Sequence, residues 1–328
     1  MSEIKYWEPI HNAWNKMVDV LFRPFDLGKW MVMGFCAFLA NCGRQGGGSG
    51  GGGSNFNPGN HRSRGGGEEW PELADFVSDI WIEYSHWIIL GGCFVVVLIV
   101  GLTILVNWLN SRGQFMFLDN VLKNRGAVKE PWSAYRKEAN SLMVFQVVID
   151  LVGFMIVIVL LAGILVPLFV MLAAHEFIGR LLFVALLSIV LLVVFSLVVG
   201  FVRLVLSHFV VPLMYQRNLS VRAGFGVFYP ILKGNFWRIV LFGLVMGLVN
   251  TAIGMALLVG MLLTCCIAFF VMIIPYIGTV LILPTIVFTR FISLEFMRQF
   301  GEEYDLLESN VYTEKELLPL SIDDSPDL

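Results

Sequence analysis

The sequence predicts an all-α membrane protein with six transmembrane helices and two interfacial amphipathic helices. Three observations predict it. Between Arg238 and Arg290 there is no Asp, Glu, Lys or Arg, whereas a helix on the surface of a soluble domain needs one charged face. Of the 328 residues 57% are hydrophobic and only 14% charged, and the mean hydropathy is +0.78, outside the range of soluble domains. Third, the charges that remain are gathered into segments that fix an orientation.

Each element follows in order. Residues 8–26 read as an amphipathic helix: Trp14, Met17, Val18, Leu21 and Phe22 recur at helical spacing, Asn15, Lys16 and Asp19 lie opposite, and Arg23-Pro24 ends it. It either lies in the membrane interface with its indole at headgroup depth or packs on another part of the chain. Leu27–Asn41 is an apolar stretch, short against the ~20 residues a spanning helix uses; it spans or re-enters. Residues 43–67, rich in Gly, Ser and Asn, form a loop without a core of its own. Glu68–Glu83 then reads as the second interfacial helix, with Pro71 in its first turn and a stripe of Leu73, Phe76, Val77, Ile80, Trp81 and Tyr84.

Four further spans are Trp87–Leu109, Leu142–Ala173 with Pro167, Ile178–Tyr215 with Arg203 and Pro212, and Phe236–Ile274. The last is long for one crossing. A hairpin would need turn residues, which only Asn250, Thr251 and Gly254 offer, so one helix bent near Gly254 or Gly260 is preferred over two. Pro275-Tyr276-Ile277-Gly278 marks a turn before a sixth span, Gly278–Met297.

Segment 110–141 carries Arg112, Lys123, Arg125, Lys129, Arg136 and Lys137, and segment 216–238 carries Arg217, Arg222, Lys233 and Arg238 without an acid. The positive-inside rule places both loops in the cytoplasm. A six-span count puts them on one side together with both termini, and this agreement favours a spanning Leu27–Asn41. Each basic segment ends in a similar phrase, Tyr135–Asn140 and Ile231–Phe236, which is either an internal repeat or chance. The organisation is a cytoplasmic amphipathic helix over 1–26, a six-span domain over 27–300 and an acidic cytoplasmic tail over 301–328.

Several function classes are excluded or unsupported. The basic residues form no nucleic-acid footprint. The cysteines, Cys36, Cys42, Cys93, Cys265 and Cys266, have no metal-ligand spacing, and no cofactor is expected. His175-Glu176 lacks the second histidine of a metalloprotease motif, and the Arg222, Gly224, Gly226 run matches neither phosphate-loop pattern. No nucleophile constellation is visible, so a non-enzymatic protein is expected.

Charged residues within spans are expensive and are functional hypotheses by default. Asp150, Arg203 and Arg290 fall at similar depth, and Gln146 lies one turn before Asp150 on the same face. This intramembrane polar cluster either lines a solvated path for an ion or small solute or is a structural pair with arginines snorkelling outward. The basic residues Arg112, Lys123, Arg125, Arg217, Arg222, Lys233 and Arg238, beside Phe115, Phe117, Trp132, Tyr135, Phe228 and Trp237, suit contacts with anionic headgroups. Topology alone explains them equally well. Membrane lipid is the expected partner, with a protein partner at the acidic tail.

The phrases Arg23-Pro24-Phe25-Asp26-Leu27-Gly28-Lys29-Trp30, Asn110-Ser111-Arg112-Gly113-Gln114-Phe115 and Arg298-Gln299-Phe300-Gly301 resemble those of an uncharacterised group of bacterial multi-pass membrane proteins. Thr264-Cys265-Cys266 and Ile274–Gly278 fit the same picture. The resemblance implies a bacterial cytoplasmic membrane and no particular activity. The layout also resembles the membrane domain attached to some glycerophosphodiester phosphodiesterases; the soluble catalytic domain, with its metal-binding carboxylates, has no counterpart here.

Overall fold

The structure, a computed structural model, describes residues 7–42, 69–174, 179–264 and 274–307. Among them there are only helices, turns and short connections. The predicted loop 43–67, the His175-Glu176 pair, Cys265-Cys266 and the tail from 308 onward lie outside the described residues.

The helix α1, Trp7–Phe22, buries Pro9, Ala13, Met17 and Leu21, an i, i+4 ladder that needs a protein surface to cover it. Trp14 and Phe22 of the predicted apolar face stay largely exposed. The turn into α2, Leu27–Asn41, is built by the first signature phrase. Asp26 caps α2 by accepting from the Gly28 and Lys29 amides. The Lys29 ammonium and Trp30 indole donate back to the Val20 and Leu21 carbonyls at 2.5 and 2.8 Å, satisfying the end of α1. The Phe22 and Phe25 rings flank the indole.

The helix α3, Glu69–Leu122, continues well past the predicted end at Leu109. Residues 110–122 are therefore helix, not loop, and they are mostly buried. The polar residues found partners: Asn110 donates to the Ala40 and Cys42 carbonyls at the end of α2, and Gln114 donates to Asn110. Gly113 is required where α3 crosses α2, because a Cβ there would fall on the backbone of Leu39 and Ala40. The predicted interfacial segment 68–83 is helical from Glu69, and its apolar stripe lies outside the described side chains.

Two compact units result, Gly50–Val106 and the remainder. In the smaller one, the described side chains from Leu90 to Leu105 are almost all exposed aliphatics and aromatics, as expected of a helix solvated by lipid. The larger unit contains α4, Lys129–Ala134, and α5, Arg136–Ala174. Next come α6, Gly179–Val205, a π-helical turn over Leu206–Val210, and α7, Val211–Arg217. It is completed by α8, Val221–Leu263, α9, Pro275–Leu281, and α10, Leu283–Arg298. The core lies at one end of these helices, where Phe209 stacks on Phe228 and Phe242 on Phe296, with ring centroids 5.1 and 4.3 Å apart.

Four helices are long and apolar enough to cross a membrane: Leu90–Leu122, Arg136–Val170, Gly179–Arg217 and Val221–Leu263. Leu27–Asn41 is a shorter apolar helix. The predicted sixth span is two helices, broken at Ile282 (φ −89°, ψ 6°) just before Pro284, whose missing N–H ends a hydrogen-bond run. The predicted basic loop 216–238 is mostly helical, because α8 starts at Val221. Its backbone leaves helical geometry at Asn235 (φ −131°, ψ 30°), not at Gly254 or Gly260.

Candidate functional site

Two of the four predicted intramembrane polar residues meet directly. Arg203, in the last turn of α6, donates from Nη2 to Asp150 Oδ1 at 2.6 Å. Asn107 donates to the other carboxylate oxygen at 2.8 Å. One turn along α3 and α5, Ser111 donates to Gln146 Oε1 at 3.0 Å and bonds the Asn107 carbonyl. Asn107 and Ser111 are i, i+4 neighbours, as are Gln146 and Asp150, so the site is a two-rung polar ladder between helix faces. Each Asp150 oxygen accepts one of these bonds and keeps a further lone pair, and the Arg203 and Asp150 side chains are 44% and 28% exposed.

Arg290 stands apart from this ladder. Its Nη1 donates to the Ser207 carbonyl at 2.8 Å, and its guanidinium lies 6.0 Å from the Phe117 ring. The π-helical turn explains why. Val211 N–H bonds the Leu206 carbonyl, five residues back; the next donor in that pattern would be residue 212, a proline without an N–H. Residue 212 therefore cannot donate to the Ser207 carbonyl, and Arg290 does. His208 Nδ1 and Ser293 Oγ pair 2.5 Å apart across the same helix contact.

A second charged cluster is more deeply buried. Asp119 is fully buried and receives Lys123 Nζ at 2.7 Å, Arg125 Nη2 at 2.8 Å and the Tyr215 hydroxyl at 2.9 Å. The Tyr135 hydroxyl lies 3.4 Å away. Burial works against the Arg125 cation, but the Asp119 and Glu130 carboxylates outweigh it and hold the guanidinium above its ordinary pKa. Burial pushes the Tyr135 phenol up. With every carboxylate lone pair directed at a donor, this cluster is a lock between α3, the end of α4 at Tyr135 and α7.

The residues predicted to meet headgroups divide four ways. Lys123 and Arg125 are committed to Asp119, and Arg217 to Glu303 at 2.7 Å, with the Tyr304 ring beneath it. Arg112 is 6% exposed, held between the Trp108 and Trp132 rings at 5.2 and 4.8 Å. Arg238 donates to Asn235 at the kink. Arg222 and Lys233 are exposed. They share one face of α8 with Tyr229 at the spacing 222, 229, 233, and Trp237 follows just beyond the Asn235 kink; Tyr229 and Trp237 are 63% and 78% exposed. Phe115, Phe117 and Phe228, expected beside headgroups, are core.

Sequence reading missed Asp119 and Asn107. Asp119 lay in a segment read as loop; the one available signal was an acid four residues before Lys123 and six before Arg125. Asn107 sits within a predicted span, where an amide draws less attention than a charge.

A model of DUF7544, a family of unknown function, matches residues 6–306. No curated protein and no solved structure matches the chain significantly.

Proposed function

We propose that this chain, which belongs to the DUF7544 family of unknown function, is a non-enzymatic membrane component that gathers anionic lipid headgroups. The observation that carries the reading is the exposed stripe Arg222, Tyr229, Lys233, Trp237 on α8, ahead of and just beyond the Asn235 kink. Cations interleaved with amphipathic aromatics at the mouth of an apolar helix are what an anionic leaflet attracts. A kink lets the first segment lie along the interface while the rest enters the hydrocarbon.

The accompanying topology is six crossings with both termini on the cytoplasmic side of a bacterial cell membrane. Besides the four long helices, α2 and the α9–α10 pair supply the shorter crossings. Their mutual packing supports this: the Tyr276 hydroxyl bonds the Met31 carbonyl at 2.9 Å, and Gly34 leaves room for Val280. The exposed Trp7, Trp14, Phe22 and Phe25 suit α1 to the interface while its other face rests on α10.

The test is lipid retention. Protein is extracted in mild detergent from bilayers containing equal phosphatidylglycerol and phosphatidylcholine, and the co-purifying lipid is quantified. Enrichment of the anionic lipid that falls in R222Q/K233Q supports the reading; equal retention of both lipids, or no change in the variant, sinks it. A second reading, passage of an ion or small solute, is favoured by the Asp150–Arg203–Asn107 ladder.

A further inference from the structure

Arg112 is a buried cation for which the described residues supply no anion. Its Nη1 donates to the Trp132 carbonyl at 3.1 Å and its Nη2 to Asn140 Oδ1 at a long 3.4 Å. Its Nε is buried without a partner. Of five guanidinium N–H groups, three are therefore uncommitted. The two indole faces offset part of the cost of burial, yet neither brings a negative charge.

A second cation makes the imbalance worse. Arg136 and Asn140 are i, i+4 neighbours on α5, so Arg136 shares the face that Arg112 touches, and it acts on Arg112 as a like charge. Arg136 itself is exposed. Two neighbouring cations, one of them with a buried Nε that has no partner, match a phosphate group: a guanidinium edge binds two phosphate oxygens in parallel.

The location suits a lipid. Indoles concentrate at headgroup depth, and two of them, Trp108 and Trp132, flank Arg112. The contrast with Asp119, seven residues on along the same helix, is instructive: there every charge is answered from within the chain.

We propose that Arg112 and Arg136 hold the phosphate of one anionic lipid headgroup, in a discrete site separate from the α8 stripe. The site is stoichiometric, one lipid per chain, and Asn140 is the residue the phosphate displaces or joins.

Delipidated protein in detergent is titrated with phosphatidylglycerol, phosphatidylcholine or inorganic phosphate, followed by native mass spectrometry and by melting temperature. The variants are R112K, R136Q and R222Q/K233Q. The expected result is one saturable phosphatidylglycerol per chain, bound about tenfold more weakly, a difference near 1.4 kcal/mol, in R136Q and R112K. R222Q/K233Q keeps it. Because Arg136 is exposed, R136Q tests the site without threatening the fold. Inorganic phosphate that binds and competes would assign the same site to free phosphate. The proposal is overturned if R136Q binds like the parent protein, if the saturable lipid is lost only in R222Q/K233Q, or if neither probe binds.

Discussion

The two ends of α5, α6 and α8 are built for different solvents. At one end Leu142, Phe209, Phe228 and Phe242 are sealed, and charge is buried in numbers: Asp119, Arg112, Arg290 and Glu295. At the other end Val159, Phe169, Phe183, Leu197, Leu248 and Leu263 are each 65% to 79% exposed. The difference shows where this fold gets its specificity. Between exposed aliphatic ends lipid competes on equal terms, because hydrocarbon is as apolar as leucine. Only the polar end has contacts that a wrong arrangement cannot reproduce, since a misplaced Asp119 or Glu295 would be an unpaired charge. The arms are long and apolar enough to cross a membrane, and the polar base sets which helix sits beside which.

The comparison breaks if the base can lose a charge without consequence, and the largest effect is expected there. Asp119→Ala leaves Lys123, Arg125 and Tyr215 facing one another without their anion. The cost is about 3 kcal/mol, the lower end for breaking a buried pair, because Lys123 and Arg125 are 37% and 32% exposed and can rehydrate. A variant whose denaturation midpoint in mixed micelles matches the parent's would refute the lock. Next in size is Gly113→Ala. The added methyl meets the α2 backbone at Leu39 and Ala40, which cannot yield as a flexible side chain would, and about 1–3 kcal/mol of overpacking follows. Gly91→Ala, whose Cβ would meet nothing within 4 Å, is the control; similar melting of the two variants would remove the argument for a close α2–α3 crossing.

The arms were legible in the sequence, and the base was not. Long apolar runs report lipid exposure directly, so the helices around Leu142–Ala173 and Ile178–Tyr215 were read nearly at their observed bounds. The Asp150–Arg203 pair was legible too, because ~1.5 Å of rise per residue puts both at one depth. Arg290 had the right depth and other neighbours: it donates to the Ser207 carbonyl beside a π-helical turn, and such a turn has no one-residue signature. The span from Asn110 to Leu122 was read as loop because its polar residues suggested water. Their partners, the Ala40 and Cys42 carbonyls and Tyr215, are far away in sequence. Two of the phrases that carry the resemblance, residues 23–30 and 110–115, build the α1–α2 turn and the α2–α3 crossing.

A smaller effect sharpens the comparison at the border between base and arms. Asp150→Asn keeps an acceptor for Asn107 while removing the charge opposite Arg203, whose exposure lets it find another anion. About 1 kcal/mol is expected. Cysteine at position 150, in a background without the native cysteines, asks the accompanying question about water. Rapid reaction with a membrane-impermeant thiol reagent from either side would mean that the ladder is wet and would move the solute-passage reading ahead. Protection from both sides in a correctly folded protein would make it a dry part of the base.

The smallest effect belongs to the arms. Leu197→Ala removes a large side chain that is 68% exposed, and in micelles its midpoint should stay within about 0.5 kcal/mol of the parent's. Leu197→Lys should fold in detergent almost as well, yet insert poorly, because a lysine near the centre of a crossing costs about 3 kcal/mol against the bilayer. The pair separates the two solvents at a single position. A protein-facing Leu197 would lose stability in both variants regardless of the membrane. A lipid-facing one loses only the ability to enter it, and only in the charged variant.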